Sequence, residues 1–383
     1  MKLNGIVADT SSRKKALRLA EYVIPAYDRS VSEPSSRDVY FVRSRKCRPL
    51  FSRQGWLRSL LTIMTLASAL IASTAVTAAE ADPLSGGSAI VAVRPLGGRA
   101  FDVTVYSAAM NRQIPLWVSH PGGSAPALYL LNAVDGGEGG GAWTARTDVA
   151  SFFANKNVNV VIPMTGRASY YTDWEHDDPV LGRNKWATFL TRELPPLLNS
   201  RFGMTGRNAV AGVSMSATSS LDLAIHAPGL YQAVGSYSGC ARASDALGQA
   251  YVYSQLAAFG ANAANMWGPP GDPAWADHDP TVQATRLRGT RVYISSGTGL
   301  AGPHDTLTSP GIGGNVGALV DRATVGGAME AVVNQCTSTL VGRLHALNIP
   351  VTVNVAGAGT HSWPYWQDAL HDSWPTLGAA IGA

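Results

Sequence analysis

The chain has 383 residues, 46% of them apolar and 15% charged, with 40 glycines and 22 prolines; this balance excludes a coiled coil, a collagen and a highly charged disordered chain. Its formal net charge of +4 sits at the front, because residues 1–81 carry 13 Lys and Arg against 6 Asp and Glu, leaving 17 basic and 20 acidic side chains for 82–383. The body is mildly acidic and has no basic stripe interleaved with aromatics, so nucleic acid is not an expected partner.

Residues 59–79 form an apolar run rich in Leu, Ala and Ile, preceded by Arg53 and Arg58 and ending in small residues. This pattern predicts a secretory signal peptide within a leader spanning 1–81. Cleavage after Ala78 or Ala81 satisfies the small-residue rule, and Ala81 is preferred because Asp-Pro follows it. The many Ala, Ser and Thr make the run too weakly hydrophobic for a membrane anchor to be the first choice. The mature chain, 82–383, is therefore expected outside the cell or in its envelope. With Cys47 in the leader, Cys240 and Cys336 are the only pair left in the exported body, and an even count in an oxidising compartment predicts a disulfide. Neither cysteine has metal-site spacing, and neither metal nor cofactor is expected.

From about residue 89, short apolar runs alternate with helical or glycine-rich stretches, which predicts one α/β domain with a mostly parallel sheet covered by helices. The predicted strands are 90–93, 101–106, 113–118, 127–131, 158–164, 208–213, 233–237, 292–296 and 351–355, each short enough to be buried. Helices are predicted at 185–199, 216–226, 331–347 and 366–381. Two stretches fit neither pattern: 132–143, which is glycine-rich, and 241–280, rich in Trp, Pro, Asn and Asp. Such long loops are usually functional.

The run Gly212-Val-Ser214-Met-Ser216 stands between a predicted strand and a predicted helix, the setting of a nucleophile elbow. Small residues at 212 and 216 permit a tight turn that holds Ser214 above the sheet and directs the Met215 amide at a substrate carbonyl oxygen. A serine hydroxyl needs a histidine to take its proton, and in this fold the order is Ser, acid, His. Of eight histidines, His120 and His176 precede the serine. His226 ends the elbow helix facing away, while His345 and His371 lie in predicted helices. His361, in the loop after the last strand, is the candidate base. Asp305, Asp321 and Glu330 all precede it, and residue chemistry alone leaves the acid open among them. The second oxyanion donor is expected in the loop after strand 127–131, at the amide of Val134.

Several runs then resemble the secreted mycolyltransferases of the antigen 85 group and their corynebacterial and rhodococcal relatives. They are Ser169-Tyr-Tyr-Thr-Asp-Trp174, Lys185-Trp-Ala-Thr-Phe-Leu-Thr-Arg-Glu-Leu-Pro195, the elbow at Ser214, Met266-Trp-Gly-Pro-Pro-Gly-Asp-Pro-Ala-Trp275 and Gly359-Thr-His-Ser-Trp-Pro-Tyr-Trp366. The resemblance implies an α/β-hydrolase fold and transfer of a mycolyl group between trehalose esters, or onto arabinogalactan, through an acyl-serine. It implies Glu330 as the acid, Val134 and Met215 as oxyanion amides, and Trp174 and Trp363 beside the substrate. One loop departs: where trehalose-using members carry Asp-Gly-Leu-Arg, this chain has Asn132-Ala-Val-Asp135. An arginine that donates to sugar hydroxyls is thus replaced by an acceptor, so Asn132 and Asp135 mark a substrate contact that could differ. Two rival readings stay open, a carboxylesterase with water as acceptor and a non-catalytic surface protein that adheres to host matrix.

Overall fold

The computed structural model describes residues 87–355 and 357–383. The leader, its signal peptide and Cys47 lie outside them. Nine strands form one sheet: β1 (Ala89–Gly97), β2 (Ala100–Ser107), β3 (Arg112–Ser119), β4 (Ala125–Leu131), β5 (Asn159–Pro163), β6 (Met204–Val213), β7 (Tyr231–Tyr237), β8 (Arg291–Ser296) and β9 (Val351–Val355). All nine predicted strands are present. Their spatial order is β1-β2-β3-β5-β4-β6-β7-β8-β9, antiparallel from β1 to β5 and parallel from β5 to β9.

Burial follows that order. Every residue of the central β4 and β5 is buried, as expected for parallel strands covered on both faces. The sequence reading of β9 as a buried strand is corrected. It is an edge strand, paired only with β8, and Val353 and Val355 are 37% and 43% exposed.

Five helices matter to the site: α1 (Leu194–Phe202), α2 (Met215–His226), α3 (Ala246–Ala258), α4 (Gly327–Ala346) and α5 (Trp363–Ile381). The predicted helix 185–199 is a helical run broken by a π turn at Phe189–Glu193. Its cause lies in Pro195 and Pro196: neither has an amide to bond back one turn, and the amide of Leu194 reaches five residues back to Phe189 O instead. Helix α3 was not expected, since 241–280 reads as irregular. It is started by Asp245, whose side chain caps the amide of Gly248 at 2.9 Å.

Among the described residues, no helix is long and apolar enough to cross a membrane. Cys240, just past β7, and Cys336, on α4, are joined by a disulfide with Cα atoms 4.9 Å apart.

Candidate active site

The C-terminal ends of the parallel strands lie side by side, and the candidate residues come from successive ends, the usual place for a site in an open α/β sheet. Strand β6 ends at Val213 and α2 begins at Met215, so Ser214 alone makes the turn, at φ 56° and ψ −120°. That conformation is strained for a residue with a side chain. It is held in place by the amide of Ser214 donating to Tyr237 O at 2.9 Å and by Ser216 Oγ, which accepts from the amide of Val213 at 2.9 Å. Gly212 is required because a Cβ there would stand 2.2 Å from Ser216 O.

Ser214 Oγ is 2.8 Å from His361 Nε2, and His361 Nδ1 is 2.7 Å from Glu330 Oε2. Glu330 is wholly buried. Its other oxygen accepts from Ser238 Oγ and from the amide of Gly297, each at 2.7 Å. With its lone pairs occupied by donors, the carboxylate is fixed in orientation and holds the imidazole proton on Nδ1, leaving Nε2 free to face the serine. The edge of Trp366 closes on the imidazole, ring centroids 4.9 Å apart.

The other two acids are engaged elsewhere. Asp305 accepts from Tyr365 Oη at 2.7 Å, from the amide of Gly302 at 2.8 Å and from Thr360 Oγ1 at 2.8 Å, bracing the loop that carries His361. Asp321 is an exposed residue at the end of the Val316–Asp321 helix.

The Esterase family model matches residues 107–377. Ag85A of Mycobacterium leprae, a diacylglycerol acyltransferase/mycolyltransferase, is 34% identical over 73% of this chain and 82% of its own. Ag85B of Mycobacterium avium, of the same description, is 31% identical over 82% of this chain and 93% of its own. The chain belongs to the antigen 85 mycolyltransferase family. The crystal structure of Mycobacterium tuberculosis MPT51 (FbpC1) superposes with a TM-score of 0.61 at 25% identity, covering 75% of this chain and 99% of its own. The serine hydrolase FphF of Staphylococcus aureus shares the fold, with a TM-score of 0.54 at 14% identity over 74% of this chain and 98% of its own.

Within this antigen 85 member, Met215 is the first residue of α2, where an amide has no intrahelical acceptor. Val134 is half-buried in the loop after β4, its carbonyl accepting from the amide of Ala168 at 2.7 Å. The glycines that follow are tied down. Asn132, fully buried, donates to Pro163 O at 2.8 Å and Gly136 O at 3.4 Å and accepts from the amide of Trp143 at 3.0 Å. Asp135 accepts from the amides of Gly137 and Gly141 at 3.2 and 2.9 Å. Burial raises its pKa, against the pull of those amides and of Arg146. Gly136, at φ 65°, admits no side chain, since a Cβ would lie 2.3 Å from the backbone nitrogen of Arg167. Asn132 and Asp135 thus hydrogen-bond within the loop and set its shape.

Trp174 is 1% exposed in the main core, and its indole donates to Ser169 O at 2.9 Å. Trp363 is half-buried, edge-on to Trp143 and Trp366 at 5.3 and 5.0 Å, in the same aromatic group as the ring that backs His361.

Three residues beside the triad escaped the sequence reading. Ser238 and Gly297 follow directly on β7 and β8, and their place at strand ends was the available signal. Tyr251 comes from the unexpected α3. Its ring packs with Cys240, Cys336 and Val333, and its buried hydroxyl has no hydrogen-bond partner among the described residues. Burial raises its pKa, the nearby Ser214 hydroxyl opposes that rise, and the Glu330 charge adds to it. No sequence signal pointed to Tyr251, because its segment reads as loop.

Proposed function

We propose that this protein is an exported acyltransferase that moves a long-chain, mycolyl-type acyl group from one trehalose ester to another, or to arabinogalactan, through an acyl-serine. The carrying observation is the unbroken relay Ser214–His361–Glu330, with 2.8 and 2.7 Å links and a fully buried acid.

In the first half-reaction the Ser214 proton passes to His361 Nε2 as Oγ bonds to the ester carbonyl carbon. The amides of Met215 and Val134 hold the oxyanion. When the intermediate collapses, the bond to the sugar oxygen breaks and that oxygen leaves with the proton from Nε2. In the second half an acceptor hydroxyl gives its proton to Nε2 and attacks the acyl carbon, and Ser214 leaves reprotonated. Glu330 keeps the imidazole in one tautomer and stabilises its cationic form throughout. Trp363 supplies apolar surface beside the acyl carbon.

The Asp135 departure supports a second reading, a carboxylesterase in which water replaces the sugar, because the loop lacks the arginine that would orient a sugar hydroxyl. One experiment separates the two: purified 82–383 is incubated with trehalose monomycolate or a short-chain trehalose ester, and the products are read by mass spectrometry beside Ser214→Ala. Diester supports transfer, free acid alone supports the esterase, and no turnover overturns both.

A further inference from the structure

The far end of the elbow helix carries a second cluster of ionisable groups, outside the triad. Asp222 and His226 lie one turn apart on α2, and His278 caps the short helix Pro273–Asp277. Asp222 Oδ1 is 2.9 Å from His226 Nδ1, and Asp222 Oδ2 is 2.9 Å from His278 Nδ1. The three potential ligand atoms lie within 4.8 Å of one another. Ligands around a tetrahedral zinc ion, each about 2.0–2.1 Å from the metal, stand about 3.3 Å apart, so small side-chain rotations would close the set.

Two further observations favour a cation there over a set of hydrogen bonds. The first is an orphan oxygen: Asp222 is 6% exposed, and its Oδ1 has no hydrogen-bond partner among the described residues, because the contacting Nδ1 of His226 is aimed at the carbonyl of Asp222, 3.1 Å away. A buried carboxylate oxygen without a donor is costly, and a metal ion would satisfy it. The second is the support behind the rings. Asp277 Oδ2 lies 3.2 Å from His226 Nε2, the outer carboxylate that commonly orients a metal-bound imidazole. Arg286 Nη1 also approaches that nitrogen, at 3.3 Å. His278 lies flat on Trp267, centroids 4.9 Å apart and planes within 7°. Both imidazoles remain about a quarter exposed, leaving a way in for an ion and room for a water as fourth ligand.

We propose that Asp222, His226 and His278 bind one zinc-class divalent ion, which fastens the end of the elbow helix to the Trp267–His278 segment. Two imidazoles and one carboxylate suit zinc and its transition-metal neighbours and disfavour magnesium and calcium. The ion takes no part in acyl transfer, since eight residues of helix at about 1.5 Å each separate Asp222 from Ser214.

The test is calorimetric titration of the EDTA-treated mature chain with zinc chloride, beside the same titration of His278→Gln and of the His226→Gln/His278→Gln double variant. One zinc per chain is expected, with affinity weakened at least about tenfold in the single variant and uptake lost in the double. Zinc at a hundredfold excess over Kd should also raise Tm by about 5 °C. Wild-type protein that takes up no zinc, or a double variant that takes up as much, overturns the proposal. Should the variants fail to fold, wild-type protein decides: zinc should slow diethyl pyrocarbonate labelling of the His226 and His278 peptides, and unchanged labelling of both counts against the site.

Discussion

Glu330 and Asp222 are both buried carboxylates with an imidazole Nδ1 at 2.7 and 2.9 Å, yet the two pairs are built for different work. The difference lies on the far nitrogen. His361 turns Nε2 to a serine hydroxyl, whereas His226 turns it to Asp277 and Arg286. Glu330 has no exposed surface and is held by three groups, His361 Nδ1, Ser238 Oγ and the amide of Gly297, so its imidazole has one orientation. Asp222 is shared by two histidines and keeps an oxygen without a donor. A carboxylate beside a histidine is thus no signature of catalysis; a nucleophile in line with the second nitrogen is what makes it one.

The largest effect that would break this comparison is at the nucleophile. Ser214→Ala and His361→Ala should each lower kcat/KM on the order of a thousandfold or more with the fold intact, measured on a chromogenic short-chain ester and by circular dichroism. Next comes the contrast between the acids. Glu330→Gln should lose turnover on a similar scale, while Asp222→Asn should keep kcat within about twofold and instead lower stability by about 1–3 kcal/mol in urea. Equal loss of turnover in both would erase the distinction.

Cys336→Ser removes the tie between the Glu330 helix and the chain after β7, and should cost about 2–4 kcal/mol of stability, read by urea denaturation. Tyr251→Phe deletes only the unpaired hydroxyl. If that group assists the reaction at Ser214, kcat falls by about five- to tenfold with KM unchanged; an unaltered kcat confines Tyr251 to packing.

The smallest effect concerns Asp178, a carboxylate with no imidazole at all. Burial alone would raise its pKa, but donors from Asn262, Leu181, Asn265 and Val180 outweigh burial and hold it below the ordinary value. A depressed folded-state pKa contributes stability above the unfolded value, about 3.9, and that stability is lost as pH falls through the folded one. Asp178→Asn should therefore flatten the acid limb of the stability profile below about pH 4.

The fold and the meeting of Ser214 with His361 were legible for a physical reason. Strands β4 to β8 are apolar runs bounded by turn residues, and the elbow needs Gly212, Ser214 and Ser216 in fixed order. The acid was not legible from chemistry alone, because Glu330, Asp305 and Asp321 differ only in what surrounds them after folding; the family resemblance pointed to Glu330, whose carboxylate lies 2.7 Å from His361 Nδ1. Tyr251 and α3 were hidden by the composition around them. The internal hydrogen bonds of Asn132, Asp135 and Trp174 were hidden because a sequence shows that a side chain is polar or aromatic, and not which backbone groups it meets after folding. His226 was set aside as facing away from Ser214; the 56 positions between Asp222 and His278 concealed what it faces.

The turn at Ser214 also bears on how this protein can be engineered. A side chain held at φ 56° and ψ −120° costs on the order of 1–3 kcal/mol, and Ser214→Gly would relieve much of that while removing the hydroxyl. Selection for heat resistance alone would then enrich inactive molecules, so a library built on this scaffold must be screened for turnover and melting together.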